Sequence, residues 1–570
     1  MAVLEYKGMN LEPMTITALI DRSIKNHPDR NALSFYNQKP LTYAGMGEKI
    51  KRTSIALTAN GVKPGDKVAI IGESSPDWTC AYLGIIYRGA VAVPILPDFP
   101  SDDIINIVNH SESKFLFATS KQVQKLSDSE AGIPPRIIVL DDCEISLPGS
   151  NIQAYSGFIK KTGTEKIGDV AAHKADEDDI VVIMYTSGTT GLSKGVLLSH
   201  KNLLAAVLGA NECVDLDENE KFLSVLPVSH VFEGTLGLLL PLLHGGSIYY
   251  IGKTPTADVL REACDVVKPS VMCLVPLIIE RVYNKKVKPR FQESLVIKNL
   301  IRIPLFKKLI YRRAVKAIVQ YFGGNLKVIA FGGAPLDREV ENFLMKGHFP
   351  YVFGYGLTEA SGLACGAPNI KNRSRSCGFP IRHLNVKIVD SEPDTGVGEI
   401  MIKGPTVMEG YFKNDELSRE TLTKDHWLKT GDRGIIGKNG YLYIKGRSKN
   451  MFLSASGENV YPEIIEEKLR TFPIVQEALA RQTEGAIEAL VYPDPDVLAA
   501  KLEGRADNDR EQAISEILEN IRIAVNKRLP HFYRIKKCKH QREPFIKNAA
   551  NKIKRFLYSN RCNTDHRAAN

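Results

Sequence analysis

The sequence predicts an α/β fold, and three observations carry that prediction. Short β-rich apolar runs recur as far as residue 331, helix-like segments separate them, and after Gly396 the texture changes to short strands punctuated by glycine. Strands alternating with helical segments of roughly 10–15 residues are the pattern of parallel sheets with crossover helices. In such sheets ligands collect at the loops beyond the carboxyl ends of the strands.

The elements follow in order. Lys67-Val-Ala-Ile-Ile71 reads as a buried strand, followed by a Gly-Glu-Ser-Ser turn and an apolar helical stretch from Trp78 to Tyr87. Ala90 to Ile95, Phe115 to Ala118, Ile137 to Leu140, Ile180 to Met184 and Val328 to Phe331 read as further buried strands. From Gly396 on, Glu399-Ile-Met-Ile402 and the glycines at 404, 410, 431, 434, 437 and 440 describe an antiparallel sheet or a small barrel. A new unit begins after Arg447, with an amphipathic helix from Pro462 to Leu469 and a second helix from Asp509 to Arg528.

Composition bounds the function. The chain has 570 residues, 44% hydrophobic and 25% charged, so it is an ordinary globular protein of several structural units. The nine cysteines are scattered without a Cys-x-x-Cys pair, which argues against a disulfide scaffold or zinc site and fits a reducing cytoplasm. Met1 to Met14 has no apolar core, so no secretory signal is expected. The greasiest run, Gly234 to Tyr250, is broken by Pro241, His244, Gly245 and Gly246 and is too short to span a bilayer. The expectation is a soluble cytoplasmic protein that is at most peripheral to membranes.

The charge excess of +10 is concentrated. Arg281 to Lys316 holds twelve basic residues against the single acid Glu293, and Lys527 to Arg555 holds eleven against Glu543. The first stretch interleaves the cations with Ile, Leu and Phe. It is compatible either with an amphipathic surface for anionic membranes or with a solvated helix face. No nucleic-acid-binding module accompanies the charge, so nucleic acid is not expected as a partner.

The most informative string is Tyr185-Thr-Ser-Gly-Thr-Thr-Gly-Leu-Ser-Lys-Gly195. Its three glycines allow close backbone approach to phosphate, its hydroxyls at Thr186, Ser187, Thr189 and Thr190 can donate to it, and Lys194 adds a point charge. Composition alone would also fit a polar turn. The spacing fails the Gly-x-x-x-x-Gly-Lys-Ser/Thr rule, so this is not a Walker loop. Taken whole, the string closely resembles the signature loop of the adenylate-forming superfamily, which includes acyl-CoA synthetases, peptide-synthetase adenylation domains and firefly luciferases. The departure is Ser193, where members usually have Pro.

Further strings match that superfamily in order. Leu226-Pro-Val-Ser-His230-Val-Phe-Glu233 resembles its acyl-pocket motif. His230, which by itself would more often be a structural histidine, is there implied to lie near the substrate carboxylate. Gly332-Gly333-Ala334-Pro335-Leu336 resembles the loop packed along adenine and the acyl group. Gly354-Tyr355-Gly356-Leu-Thr358-Glu359 resembles a hallmark hexapeptide in which the Tyr stacks on adenine, the Thr contacts the α-phosphate and the Glu holds Mg²⁺; an aromatic face, a short donor and a hard oxygen suit those ligands. Asp432, in Trp427-Leu-Lys-Thr-Gly-Asp432, is implied to bind the ribose hydroxyls. Arg447 is implied near the ribose and phosphates, Lys449 at a hinge, and Gly457 beside the thiol cofactor.

The closing match is the loosest. Pro544-Phe-Ile-Lys547-Asn-Ala-Ala-Asn551-Lys552-Ile-Lys554-Arg555 resembles the loop of the catalytic adenylation lysine, with Lys552 in that role and Lys547 as the other candidate. Asn551 replaces the usual Gly, and Asn tolerates left-handed backbone nearly as well. The resemblance, which spans roughly residues 15 to 560, is to long-chain fatty acyl-CoA synthetases in particular. It implies a large N-terminal AMP-binding domain (1–446) of doubly wound sheets with a small β-barrel-like subdomain, and a small mobile α+β C-terminal domain (447–570) hinged near Lys449. It implies ATP, Mg²⁺ and coenzyme A as cofactors, and conversion of a fatty acid to acyl-AMP and then to acyl-CoA. An acyl carrier protein as the acceptor, or a non-catalytic nucleotide- or lipid-binding relative, are the alternatives.

Overall fold

The computed structural model describes residues 11–127, 129, 134, 136–146, 150–160, 171–187, 193–253, 255–368, 371–453, 459–483, 486–504, 507–548 and 552–558. The chain forms two compact units. The first comprises Met1–Val386, Ile402–Lys429 and Gly440–Leu442; the second comprises Lys387–Met401, Thr430–Asn439 and Tyr443–Asn570. The boundary read from sequence at 446/447 falls inside the second unit.

The first unit is built on two wound sheets. One has seven strands in the order Tyr351–Phe353, Val328–Phe331, Val271–Leu274, Lys221–Ser224, Ser247–Tyr250, Asn31–Phe35, Leu41–Thr42. Its neighbours are parallel except for the last pair. The other has eight, in the order Gly410–Tyr411, Ser193–Ser199, Ile180–Ser187, Val91–Ile95, Lys67–Ile71, Leu116–Ala118, Arg136–Val139, Asn151–Ala154. Here the last five strands and their junction with Ile180–Ser187 are parallel, and the first three strands pair antiparallel. Central strands such as Val91–Ile95 are buried at every position, which is why they read as continuous apolar runs.

Local chemistry sets the crossover helices. In Pro76–Tyr87 the hydroxyl of Ser75 accepts from Trp78 N at 3.1 Å, and Pro76 occupies the first turn, where its missing N–H costs nothing. Gly84 of that helix lies against Thr53, where a Cβ would come within 2.5 Å of the Thr53 side chain. The core behind the seven-stranded sheet gathers Phe322, Ile329, Phe331, Phe343 and Tyr351.

The second unit is α+β. Val475–Thr483 and Ala486–Pro493 pair antiparallel, and Ile535–His540 joins the latter in parallel. Helices Pro462–Arg470 and Asp507–Asn526 share its core through Ile465, Leu469, Leu518 and Val525. The glycine-rich stretch after Gly396 forms, of the two forms its pattern allows, a sheet: four strands in the order Asn385–Val389, Gly398–Lys403, Leu428–Ile436, Leu442–Arg447, with no closed barrel among the described residues. The described cysteines are free. Among the described residues no helix is long and apolar enough to cross a membrane; the greasy run divides into a π-helix, Gly234–Leu239, a short helix, Leu240–His244, and the strand Ser247–Tyr250.

Candidate active site

The described ends of the signature string, Tyr185–Ser187 and Ser193–Gly195, belong to the two strands of a β-ribbon. Ile180–Ser187 and Ser193–Ser199 pair antiparallel with Thr186 opposite Lys194 and Ser187 opposite Ser193. Gly188, Thr189, Thr190 and Gly191 lie outside the described residues. Gly195 lets the ribbon lie flat: a Cβ there would fall 2.8 Å from Ile183 and 3.2 Å from Tyr185. Thr186 Oγ1 is buried without a protein hydrogen-bond partner, an orphan that suits a bound ligand.

At the base of the loop three side chains converge. Lys194 Nζ lies 3.1 Å from Glu359 Oε1 and donates to the Tyr411 hydroxyl at 2.8 Å. That hydroxyl donates in turn to Glu359 Oε1 at 2.9 Å. Burial alone would raise the Glu359 pKa, but the Lys194 charge and the donors around the carboxylate outweigh it and hold it below its ordinary value. Tyr411 is placed by pairing with Val196 on the ribbon strand and by Ser418 Oγ, which accepts from its backbone N–H. It comes from 217 residues beyond Lys194, and sequence reasoning missed it. Only the neighbouring Gly410 marks the place.

Glu359 arrives on the hexapeptide, which follows the strand Tyr351–Phe353 and turns into a short 3-10 helix, Thr358–Ala360. Gly356 is obligatory here, because a Cβ would lie 2.1 Å from the Gly362 carbonyl oxygen. Tyr355 is buried and bridged to Cys365, while Thr358 is half-buried. The Glu359 carbonyl accepts from Met408 N at 2.9 Å, which ties the hexapeptide to the segment carrying Tyr411. Among the described residues no group of three or more His, Cys, Asp or Glu gathers as a metal site. One carboxylate is nevertheless a usual share for Mg²⁺, which takes its remaining ligands from phosphate and water.

The acyl motif and the glycine loop meet. Phe232 packs on Gly332, where a Cβ would be 3.2 Å from the ring. Gly333, Ala334 and Pro335 are exposed, and Gly333 has φ +82 with open space where a Cβ would point. His230 is half-buried and caps the short helix Val231–Glu233, its Nδ1 accepting from Phe232 N at 3.2 Å. Beside it Glu233 is 1% exposed, and its Oε2 has no hydrogen-bond partner. Burial pushes its pKa up to about 8, against the pull of the nearby Ser224 hydroxyl. Its side chain fills the space left by Gly237 in the π-helix. A buried carboxyl packed against a π-helix is a combination the sequence did not single out.

The second unit carries the remaining predicted residues. Asp432 is buried, with Oδ1 3.0 Å from Arg447 Nε. Its turn is set by Thr430 Oγ1, which accepts from Asp432 N and donates to the Ile400 carbonyl. Lys449 is exposed in the turn directly after the strand Leu442–Arg447. Gly457 lies outside the described residues. Lys547 and Ile553 bridge antiparallel, and Asn548 and Lys552 exchange two hydrogen bonds, so Lys552 stands at a hairpin with its side chain exposed. Lys547 instead pairs with Glu477 at 2.5 Å.

This ribbon, hexapeptide and acyl motif are those of an adenylate-forming enzyme. The family model described as AMP-binding enzyme matches residues 20–412, and the chain belongs to that family. It resembles long-chain fatty acyl-CoA synthetases. It is 27% identical over 487 residues to a long-chain-fatty-acid–CoA ligase of Mycobacterium bovis, covering 80% of this chain and 78% of that protein. It is 28% identical over 544 residues to long chain acyl-CoA synthetase 1 of Arabidopsis thaliana, covering 86% and 81%. A 4-coumarate–CoA ligase of Vanilla planifolia is 28% identical over 455 residues, covering 77% and 76%. Two solved structures share the fold, each with TM-score 0.75: an anthranilate CoA ligase in complex with anthranoyl-AMP (20% identity, 98% and 97% covered) and a benzoate CoA ligase from Burkholderia xenovorans (21%, 95% and 99%).

Proposed function

We propose that the protein is an AMP-forming ligase that activates a long-chain fatty acid with ATP and transfers the acyl group to coenzyme A. The observation that carries this reading is the Lys194–Glu359–Tyr411 cluster at the root of the glycine-hydroxyl loop. The long-chain-fatty-acid–CoA ligase and long chain acyl-CoA synthetases among its relatives favour a fatty acid over the aromatic acids of the solved neighbours.

The residues fit the nucleotide. Thr186 has a buried donor to give, Lys194 a charge for the polyphosphate, Glu359 a hard oxygen for Mg²⁺, and Gly333 to Pro335 an open backbone edge. Mg²⁺, when bound, supplies charge neutralisation of the phosphates. The fatty acid carboxylate oxygen attacks the α-phosphorus, the bond to the bridging oxygen breaks, and pyrophosphate leaves with the electron pair. The thiol sulfur of coenzyme A then attacks the acyl carbon, AMP departs, and the thiol proton passes to water. His230 orients the carboxylate, Thr358 contacts the α-phosphate, and Lys552 stabilises the negative charge that builds during adenylation. Asp432 and Arg447 serve the ribose, and Lys449 is the pivot between the two half-reactions.

The test is acid-dependent ATP–pyrophosphate exchange over a chain-length series, followed by thioester formation with coenzyme A or with acyl carrier protein. Exchange peaking with long-chain acids, with coenzyme A the better acceptor, is expected. Absence of exchange with every acid overturns the enzyme reading. Lys552→Ala should abolish exchange yet spare thioester formation from supplied acyl-adenylate, whereas Lys547→Ala should lower stability by about 1–3 kcal/mol by leaving Glu477 without its cation and with the Phe545 N–H as a remaining donor. Loss of both half-reactions in Lys552→Ala would remove that lysine from its assigned role.

A further inference from the structure

The helix Pro304–Tyr321 has two unlike faces. Tyr311, Ala314, Val315, Ile318 and Val319 turn inward to the core of the seven-stranded sheet. On the opposite stripe, at helical spacing, stand Leu305, Leu309, Arg312 and Lys316. Leu305 is 76% exposed, Leu309 51%, Phe306 42% and the preceding Ile303 48%. Four large apolar side chains within seven residues are thus in water, an arrangement a soluble surface seldom keeps without a use.

The charge around them is of one sign. No Asp or Glu occurs from Ser294 to Leu336. Among the described residues none of the side chains of Lys298, Arg302, Lys308, Arg312, Arg313 and Lys316 forms an ion pair. An apolar wedge ringed by unneutralised cations matches one phase: the surface of an anionic bilayer, which offers hydrocarbon to the wedge and phosphate to the ring. A second copy of this chain would set like charges against each other. A nucleic acid would leave Leu305 and Leu309 in water.

We propose that this face, centred on the first two turns of Pro304–Tyr321, docks the protein on anionic lipid. None of its residues belongs to the adenylation motifs, so the docking stands or falls apart from the ligase reading. It places the enzyme where a water-insoluble acyl chain would be stored.

Cosedimentation of the full chain with vesicles tests it. Binding is expected to phosphatidylcholine vesicles containing roughly a third phosphatidylglycerol and not to phosphatidylcholine alone, and to fall steeply as salt screens the charges. Each cation near an anionic leaflet is worth about a fivefold change in partition, so Arg312→Glu/Arg313→Glu should weaken binding by about tenfold or more. Leu305→Ser/Phe306→Ser/Leu309→Ser should do the same. Both sets lie on the surface, and unchanged circular dichroism verifies their fold. Equal binding to neutral and anionic vesicles overturns the proposal, as does no binding to either. Binding that survives the serine variant overturns the wedge. A concentration-dependent dimer, without vesicles, that the serine variant dissolves would make a second copy the occupant and overturns it too.

Discussion

Lys194 Nζ lies 3.1 Å from Glu359 Oε1, and the hydroxyl of Tyr411 bonds both. The cation assigned to phosphate and the carboxylate assigned to metal therefore neutralise each other, and nucleotide binding must exchange one set of partners for another. Tyr411 holds both groups from a strand that is itself paired with the ribbon.

Replacing that hydroxyl tests the arrangement. A hydrogen bond to a charged group is worth about 1.5–3 kcal/mol, so Tyr411→Phe should raise the KM for ATP by about tenfold or more. Its acid limb should also move upward, because Glu359 loses a donor that holds its pKa down. The stability contributed by Glu359 is fully present above its unfolded value of 4.5 and is lost as pH falls through the lowered folded value. A pH profile of exchange for wild type and variant reads this; unchanged KM and unchanged limb would reduce Tyr411 to packing.

Glu233 should behave in the opposite sense. Its folded pKa is about 8 against 4.5. Below 4.5 both states hold the proton; above it the unfolded chain releases the proton while the folded chain keeps it, so stability falls as pH rises towards 8. A gap of about 3.5 units corresponds to roughly 5 kcal/mol. Glu233→Gln should flatten this slope, giving urea midpoints that exceed wild type at pH 8 and converge with it near pH 4. Parallel curves for the two proteins would place the ionised form in the folded state.

Gly356 is the most constrained position of the hexapeptide. With the Gly362 oxygen 2.1 Å from where a Cβ would sit, Gly356→Ala has to displace backbone. Destabilisation on the order of 1–3 kcal/mol is expected, with loss of exchange greater than the loss of fold. Gly333→Ala meets no atom and carries only the strain of φ +82, about 1 kcal/mol. Thermal melts of both variants give the contrast.

The parallel strands were legible because burial on both faces leaves no alternation to misread: Lys67–Ile71 and Val328–Phe331 were located by composition alone. The ribbon was not. Ser193–Gly195 belongs to the string read as a phosphate loop, and Val196–Ser199 carries no strand signal of its own, because the strand character of Ser193–Ser199 comes from pairing, on one side with Ile180–Ser187 and on the other with the distant Gly410–Tyr411. Likewise the run from Gly234 to Leu239 shows only greasiness in the sequence, since every one of its described positions but Gly234 is buried and no alternation marks the π-helix. The β-barrel-like subdomain that the resemblance implies after Gly396 is instead an open four-stranded sheet among the described residues, because closure depends on how edge strands meet, which local pattern does not encode. Among the site residues, those named by contiguous strings were found, and Tyr411, joined to its partners only in space, was not.

The chain passes between its two compact units at 386/387, 401/402, 429/430, 439/440 and 442/443. The smaller one is consequently not a tail that can be cut away or transplanted. A fragment beginning at 447 would lack the stretches 387–401 and 430–439 that complete it, and one ending at 446 would keep them without their fellows. Recombination at a single point cannot exchange one unit for that of another sequence.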